Sequence, residues 1–423
     1  MDIVQQNAVL VISKVLQGRN LNQVIKETLA NSPVLTAQQR GALQDLSYGT
    51  IRFYGQLSHI LDALLNKPIK DIYIRYLLLV ALYQLQYSKA APYAVVDFAV
   101  NSVRKRNAAA SGLANAVLRN FLRNRNMLIA QAEQNDESRY SYPGWWIDRV
   151  RAQYKNLAEN ILLAGNQHPP MTLRVNSRVK TTDEYLKLLG QSNMQGSIIE
   201  PEAILLKTPV PVELLPGFNE GYVSVQDAGA QYAANFLDVK EGMRVLDACA
   251  APGGKTAHLL ELSQVELIAV DKDKSRMQRV GENLNRLKLS ANLITGDAAR
   301  PEEWWDGRLF QRILADVPCS ASGVVRRHPD IKLLRRDSDI ENFARQQLKI
   351  LCSLWELLEA GGKLLYVTCS IFEQENQSNI KSFLSEHANA TQIPLAANGM
   401  KDGQFLPDER HDGFFYALLQ KQV

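Results

Sequence analysis

The sequence predicts an all-α N-terminal domain, a small α/β unit, and a C-terminal α/β domain built on a doubly wound sheet. Three observations carry this. Apolar residues over the first 130 or so positions recur at helical spacing, with no convincing strand. From about Val223 onward, strand, Gly-rich turn, helix and strand alternate. Between them lies a stretch rich in proline and short strands. A chain of 423 residues suits two or three domains, here expected at 1–140, 141–222 and 223–423.

Each element has a local reason. Leu21, Val24, Ile25, Thr28 and Leu29 follow the spacing of an amphipathic helix. Thr36 with Gln39 has capping-box spacing and predicts a helix start; Leu43, Leu46, Thr50, Ile51 and Tyr54 then share one face. Further helical patterns run over 72–87, 94–106 and 113–125, so a helical bundle is the economical reading. The polar stretch 124–142 ends a helix and begins a linker. YPGWWIDRV opens a short helix, NQHPP breaks the chain, and a strand over 171–175 and a helix over 183–189 follow. In the last domain, strands are expected at 243–248, 265–271, 291–296, 313–317, 363–368 and 413–420. Helices are expected at 256–262, 276–287 and 342–358, the last ended by Gly361 and Gly362.

Composition excludes several classes. Hydrophobic residues make up 46% and charged residues 22%, ordinary for a globular protein. The opening residues lack a basic stretch followed by an apolar core, so no secretory signal is expected. The longest apolar run, Leu77 to Leu82, is too short to span a bilayer. The expected location is cytoplasmic, with no membrane partner and no obligate protein partner evident. Cys249, Cys319, Cys352 and Cys369 are too few for a disulfide scaffold and are expected as free thiols. They have no CxxC spacing and no clustered histidines, so no metal site is expected.

The net charge is only +4, but its distribution is uneven. From Asn101 to Asn126 there are six basic residues (Arg104, Lys105, Arg106, Arg119, Arg123, Arg125) and no acidic one. From Arg326 to Arg336 there are five basic residues and one aspartate. A single stripe of this kind is most simply a solvated helix face. Two, one of them beside the candidate active site, favour a polyanion partner. Arg104, Lys105, Arg106, Arg119, Arg123, Arg326 and Arg327 are the candidate RNA contacts.

Ligands of doubly wound sheets bind at the carboxyl ends of the strands, and the informative residues fall there. The first strand leads into LDACAAPGGKT, where Gly253 and Gly254 let the backbone approach a ligand closely. A phosphate-binding P-loop would need glycine where Cys249 stands, and GxGxxG is absent. The second strand ends at Asp271, suited to ribose hydroxyls. The third ends in GDA, with Asp297 suited to an adenine amino group. Either aspartate alone could be a helix cap. Together, at successive strand ends, they point to adenosine without pyrophosphate, and so to S-adenosylmethionine.

Two further strand ends carry thiols. Strand four ends in ADVPCSASGVVRRHPD, giving Asp316, Pro318 and Cys319; strand five ends in YVTCS, giving Cys369. Neighbouring strands should bring both thiols to one cleft. Carbon 5 of cytosine is a poor nucleophile, and a thiolate adding to carbon 6 makes it a good one. Asp316, if protonated, is suited to hydrogen-bond ring N3. Arg326 and Arg327 could lower a thiol pKa or hold phosphates. Cys352 reads as an inert helix residue, and Cys249 as a packing or ligand-touching residue of the cofactor loop.

These motifs together (DACAAPGGKT, AVDKDKSRM, GDA, DVPCSASG with RRHPD, TCS and a final DGFF) resemble the RNA cytosine carbon-5 methyltransferase family over roughly the last two hundred residues. The resemblance implies a class I, Rossmann-like methyltransferase fold with the cofactor held by Cys249, Ala250, Ala251, Pro252, Gly253, Gly254 and Lys255, and by Asp271, Asp297 and Asp316. It implies Cys369 as nucleophile and Cys319 as the residue that assists release of the methylated base. DNA cytosine methyltransferases use the cysteine of the PC pair instead, so the division of roles comes from the likeness; the residues alone show both thiols present. SGLANAVLRNFLR and its surroundings resemble a NusB-type RNA-binding domain, with Leu113-Ala114 where a bulkier aromatic pair is common. That domain order is similar to bacterial 16S rRNA members of the family, and implies ribosomal RNA as substrate, with an unpaired or extruded cytosine entering the cleft.

Two other readings share parts of this pattern. An amino-group methyltransferase would have the same cofactor site but normally an Asn/Asp-Pro-Pro-aromatic turn at strand four, where this chain has DVPC. A non-catalytic NusB-type assembly factor would need neither the two thiols nor the Gly-rich loop.

Overall fold

The structure is a computed structural model and describes residues 2–32 and 34–423. The chain forms two compact units. One runs to Gln167 and takes back the segment Val325–Asp337; the other is His168–Val324 with Ser338–Val423.

The first unit is helical: α1 (Asp2–Leu16), α2 (Leu21–Ala30), α3 (Ala37–Arg52), α4 (Tyr54–Ala63), α5 (Ile72–Tyr87), α6 (Pro92–Arg106), α7 (Ser111–Ala132), α8 (Asp136–Tyr140), α9 (Gly144–Tyr154) and α10 (Ala158–Ala164). Thr36 and Gln39 form the capping box expected at the start of α3. Helix α5 is the axis of the unit. Its run from Tyr76 to Leu85 is buried on all sides, as a helix apolar all round must be, and α1, α3, α4, α6 and α7 pack around it. The helical unit continues past the expected boundary at residue 140, because Trp146, Ile147 and Val150 of α9 and Ile161 and Leu162 of α10 are buried in turn.

The second unit opens with a four-stranded sheet of order β2-β3-β1-β4, made of β1 (Thr172–Val175), α11 (Thr182–Gln191), β2 (Gly196–Glu200), β3 (Ala203–Leu206) and β4 (Val223–Val225). Buried Tyr185 and Leu189 of α11 share its core with Leu173, Val175 and Ile204. The chain then runs through α12 (Ala228–Leu237), β5 (Arg244–Ala248), α13 (Gly254–Leu262), β6 (Glu266–Asp271), α14 (Lys274–Leu287), β7 (Asn292–Thr295) and β8 (Phe310–Asp316). After β8 comes α15 (Ile331–Leu334), part of the helical unit, and then α16 (Asp337–Trp355), β9 (Leu358–Thr368), α17 (Gln377–Glu386), β10 (Ala390–Ile393), β11 (Met400–Lys401), β12 (Gln404–Phe405) and β13 (Phe414–Lys421).

The large sheet has the order β11-β12-β13-β9-β8-β5-β6-β7, with β10 pairing β13. Strands β7, β6, β5, β8 and β9 are parallel and β13 is antiparallel to β9. The direction of strand succession reverses between β5 and β8, which places a crevice at the carboxyl ends of these strands. One expected boundary is corrected. Helix α16 stops at Trp355, and Gly361 and Gly362 lie inside β9, not at a helix end. They occupy an irregularity in the β8–β9 ladder, where the register jumps between Phe310 and Arg312; Gly361 takes φ +78° there, which glycine adopts without a Cβ clash.

The excursion Val325–Asp337 is built into the helical unit. Lys332 Nζ donates to Arg52 O at 2.7 Å and to Asn166 Oδ1 at 2.6 Å, and lies 4.4 Å from the Tyr142 ring centroid. Burial holds this amine well below its ordinary pKa, and Arg52 adds to the effect. Arg52 Nη2 donates to Arg326 O at 2.8 Å. Asp330 Oδ2 accepts from Leu21 N at 3.0 Å and Asn20 Nδ2 at 3.2 Å, satisfying a free donor at the start of α2. Among the described residues, no helix is long and apolar enough to cross a membrane.

Candidate active site

The cofactor loop follows β5. Cys249 adopts φ +62° and Gly253 φ +92°. A Cβ on Gly253 would stand 2.9 Å from Val280 Cγ1 and 3.2 Å from its Cα, so the close approach of loop to α14 needs glycine. At the end of β6, Asp271 accepts from Ala251 N at 3.1 Å and Asp273 N at 3.0 Å, fixing the loop against its neighbouring strand. Past β7, Asp297 accepts from Ala299 N at 2.9 Å. Both aspartates therefore brace their own turns while also facing the crevice.

The crevice is a cavity of about 200 Å³ whose lining includes Cys249, Asp271, Asp297, Asp316, Cys319 and Cys369. Arg276 and Lys272 line it as well, and Ala298 and Ile350 contribute apolar surface. Arg276 Nη2 donates to Ala251 O at 2.6 Å. Three carboxylates at successive strand ends beside small and apolar residues fit an adenosine carrying a cationic sulfur: acceptors for hydroxyl and amino groups, and negative charge for the sulfonium.

Asp316 closes β8 and receives Lys255 Nζ at 2.7 Å. Burial works against the Lys255 charge, but Asp316 outweighs it and holds the ammonium above its ordinary pKa. Lys255 thus turns from the Gly-rich loop to the end of β8, a contact that its place in the motif did not reveal. Asp247, on β5, is fully buried, and burial pushes it up to about 7 against a 2.6 Å hydrogen bond from Thr256 Oγ1. Burial also raises the Cys249 thiol, with Asp316 and Asp271 adding to it, so Cys249 stays neutral.

Cys319 and Cys369 meet. Strands β8 and β9 are adjacent and parallel, and the sulfurs that follow them are 3.4 Å apart. The hydrogen bond to Cys369, then burial and the Cys369 and Glu375 charges, push the Cys319 thiol well up. Behind the pair lies a carboxylate that pattern reading missed: Glu375, fully buried, bonded to both turns. Nothing in the sequence around EQEN distinguishes it from a solvent-facing acid.

The candidate RNA contacts fall into two groups. Arg104, Lys105, Arg106, Arg119 and Arg123 are exposed on α6 and α7. Arg106 pairs with Asp71 at 2.7 Å and lies over the Tyr73 ring. Arg326 does not join them. Its side chain is 1% exposed in the helical unit, which withdraws it from a phosphate-binding surface; Arg327 is half-buried. Two of the five basic residues of the second stripe are thus buried, since Lys332 is also 1% exposed.

The strand order and the crevice with its acidic strand ends define a class I S-adenosylmethionine-dependent methyltransferase, and the comparisons name its family. The model described as 16S rRNA methyltransferase RsmB/F matches residues 234–420, the RsmF/B-like ferredoxin-like domain matches 142–213 and the NusB family matches 2–123. The chain is 43% identical over 419 residues to ribosomal RNA small subunit methyltransferase B of Proteus mirabilis (strain HI4320), covering 97% of both. Its fold matches the crystal structure of PH0851 with a TM-score of 0.79 at 26% identity over 99% of both chains. It also matches a methyltransferase homolog from Pyrococcus horikoshii with a TM-score of 0.60 at 27% identity, over 68% of this chain and 97% of that one. The chain belongs to the RsmB/F family of rRNA methyltransferases.

Proposed function

We propose that the enzyme methylates carbon 5 of an unpaired or extruded cytosine in 16S rRNA, with Cys369 as nucleophile and Cys319 assisting release. The observation that carries this is the 3.4 Å approach of the two sulfurs on the wall of the cofactor crevice. An amino-group methyltransferase has no use for such a pair.

S-adenosylmethionine, when bound, supplies an electrophilic methyl group. The chain's residues prepare the acceptor. The Cys369 thiolate bonds to carbon 6, the ring electrons shift to make carbon 5 nucleophilic, and carbon 5 takes the methyl as its bond to the sulfonium sulfur breaks, S-adenosylhomocysteine being the leaving group. The proton on carbon 5 then passes to water, the ring double bond re-forms, and the sulfur–carbon bond returns its electron pair to Cys369. Cys319, held neutral, offers its S–H to the Cys369 sulfur before addition and as it leaves. Asp316, on the cavity wall, and the Lys255 ammonium bonded to it are the hydrogen-bonding pair toward the ring. Asp271 and Asp297 hold the adenosine hydroxyls and amino group.

The helical unit supplies the RNA grip through exposed Arg104, Lys105, Arg106, Arg119 and Arg123. A ribosomal substrate implies the cytoplasm. The deciding test is methyl transfer from labelled S-adenosylmethionine to unmodified small-subunit rRNA, with the product base identified by mass spectrometry. Cys369→Ala should be inactive, and Cys319→Ala should accumulate a covalent protein–RNA adduct. Methylation by both variants would overturn the thiol mechanism and favour an amino-group target.

A further inference from the structure

Cys319 and Cys369 sit on separate turns, and each is followed by a serine. Both serines bind one carboxylate. Glu375 Oε1 accepts from Ser320 N at 2.7 Å and Gln347 Nε2 at 3.0 Å; Oε2 accepts from Ser320 Oγ and Ser370 Oγ, each at 2.5 Å. Gln347 Nε2 also donates to Pro318 O at 2.9 Å, the residue before Cys319. Tyr366 Oη donates to Glu375 O at 2.7 Å, which fixes the acid's own backbone to β9. Glu375, Ser320, Ser370 and Gln347 are all completely buried, and none of them lines the cavity. The knot therefore lies off the cavity wall, and through Ser320, Ser370 and Pro318 it holds both cysteine turns.

We propose that Glu375 is a positioning residue for the reaction: its carboxylate ties the two cysteine turns together and sets the spacing of the thiols. A buried acid with four donors is a rigid node, because the bonds it accepts are made away from water and each is costly to lose. Facing Cys319 from behind, the carboxylate also favours the neutral thiol there. The effect on kcat rests on the cysteine mechanism proposed above; the spacing role does not.

Glu375→Gln keeps the size and removes the charge. It also turns an amide N–H₂ toward one set of donors, which loosens the node. The expected result is a fall in kcat on the order of 10²-fold, the effect of about 1 Å of misplacement. KM for RNA and affinity for S-adenosylhomocysteine should stay within about twofold, since the node lies off the cavity wall. Spacing is read without RNA by oxidising the free enzyme with diamide. Two thiols give one disulfide, and their two electrons and two protons reduce diamide to the hydrazine. The wild-type pair should close rapidly, and Glu375→Gln about tenfold or more slowly. A folded variant with wild-type kcat and wild-type closure overturns the proposal. If the wild type methylates no carbon 5 but closure still slows in the variant, the spacing role stands and the cysteine mechanism falls. Should Glu375→Gln not fold, Ser370→Ala carries the test by deleting one hydroxyl: slowed closure with reduced kcat supports the node, and no change in either overturns it.

Discussion

Lys255 Nζ lies 2.7 Å from Asp316 Oδ2, joining the Gly-rich segment after β5 to the end of β8. The pair puts a fixed positive charge beside the thiols. Lys255→Met removes that charge and keeps the length of the side chain. Single-turnover methylation should slow on the order of 10²-fold, the loss typical of one transition-state donor. Affinity for S-adenosylhomocysteine, measured by calorimetry, should fall far less.

Gly253 is a second sharp test. Alanine there must hold φ +92° and push against the Val280 backbone. Roughly 1–3 kcal/mol of stability should be lost, read as a lower Tm, together with most of the cofactor affinity. Gly254→Ala is the control for stability: its Cβ would meet only Gln226 Nε2 at 3.6 Å.

Asp247 should give the protein a measurable pH signature. Its pKa is raised by folding, from an ordinary carboxylate value to about 7. Between those two values the folded state holds a proton that the unfolded state has released, so stability falls as pH rises from about 4 to about 7 and is level above it. Asp247→Asn keeps the Thr256 hydrogen bond and removes the titration. Denaturant melts across pH 5 to 8 should show the wild type losing stability with rising pH and the variant losing less over this window. An unchanged slope would remove Asp247 as its source.

Arginines of similar appearance in sequence should behave oppositely. Arg104→Ser with Lys105→Ser should weaken RNA binding and make log affinity less steep against log salt, by about one for each phosphate no longer neutralised, with little change in Tm. Arg326→Ala should lower Tm, by roughly 2–4 kcal/mol of stability for a buried side chain, and leave the salt slope as it was. Fluorescence anisotropy on an rRNA fragment at several salt concentrations separates the two.

Where a feature depends on neighbours in the chain, the sequence was readable. The Thr36–Gln39 box, the period of α2 and the strand–turn–helix rhythm after Val223 are local, and the elements lie where those patterns put them. The crevice was readable for a related reason: Asp271, Asp297, Asp316 and Cys369 are strand-end residues, and a parallel sheet gathers its strand ends. Features made by distant partners were not. Arg326 and Lys332 look like solvated charge in RRHPDIKLLRR; only Arg52, Asn166 and Tyr142, more than 150 residues earlier, make them interior. Glu375 is a surface-like acid in a polar run until Ser320 and Ser370 converge on it. Gly361 and Gly362 looked like a helix stop because a ladder irregularity and a helix terminus ask for the same residue.

The excursion Val325–Asp337 also bears on how the protein is made. The first donor of α2, Leu21 N, finds its acceptor on Asp330, 309 residues downstream. A chain emerging from the ribosome can therefore collapse its first ten helices early, yet the unit they form stays unfinished until most of the second unit has been synthesised. An N-terminal fragment cut at Gln167 would be a less stable object than the same helices in the whole enzyme, and a nascent chain stalled before residue 325 would present that open seat to chaperones and proteases.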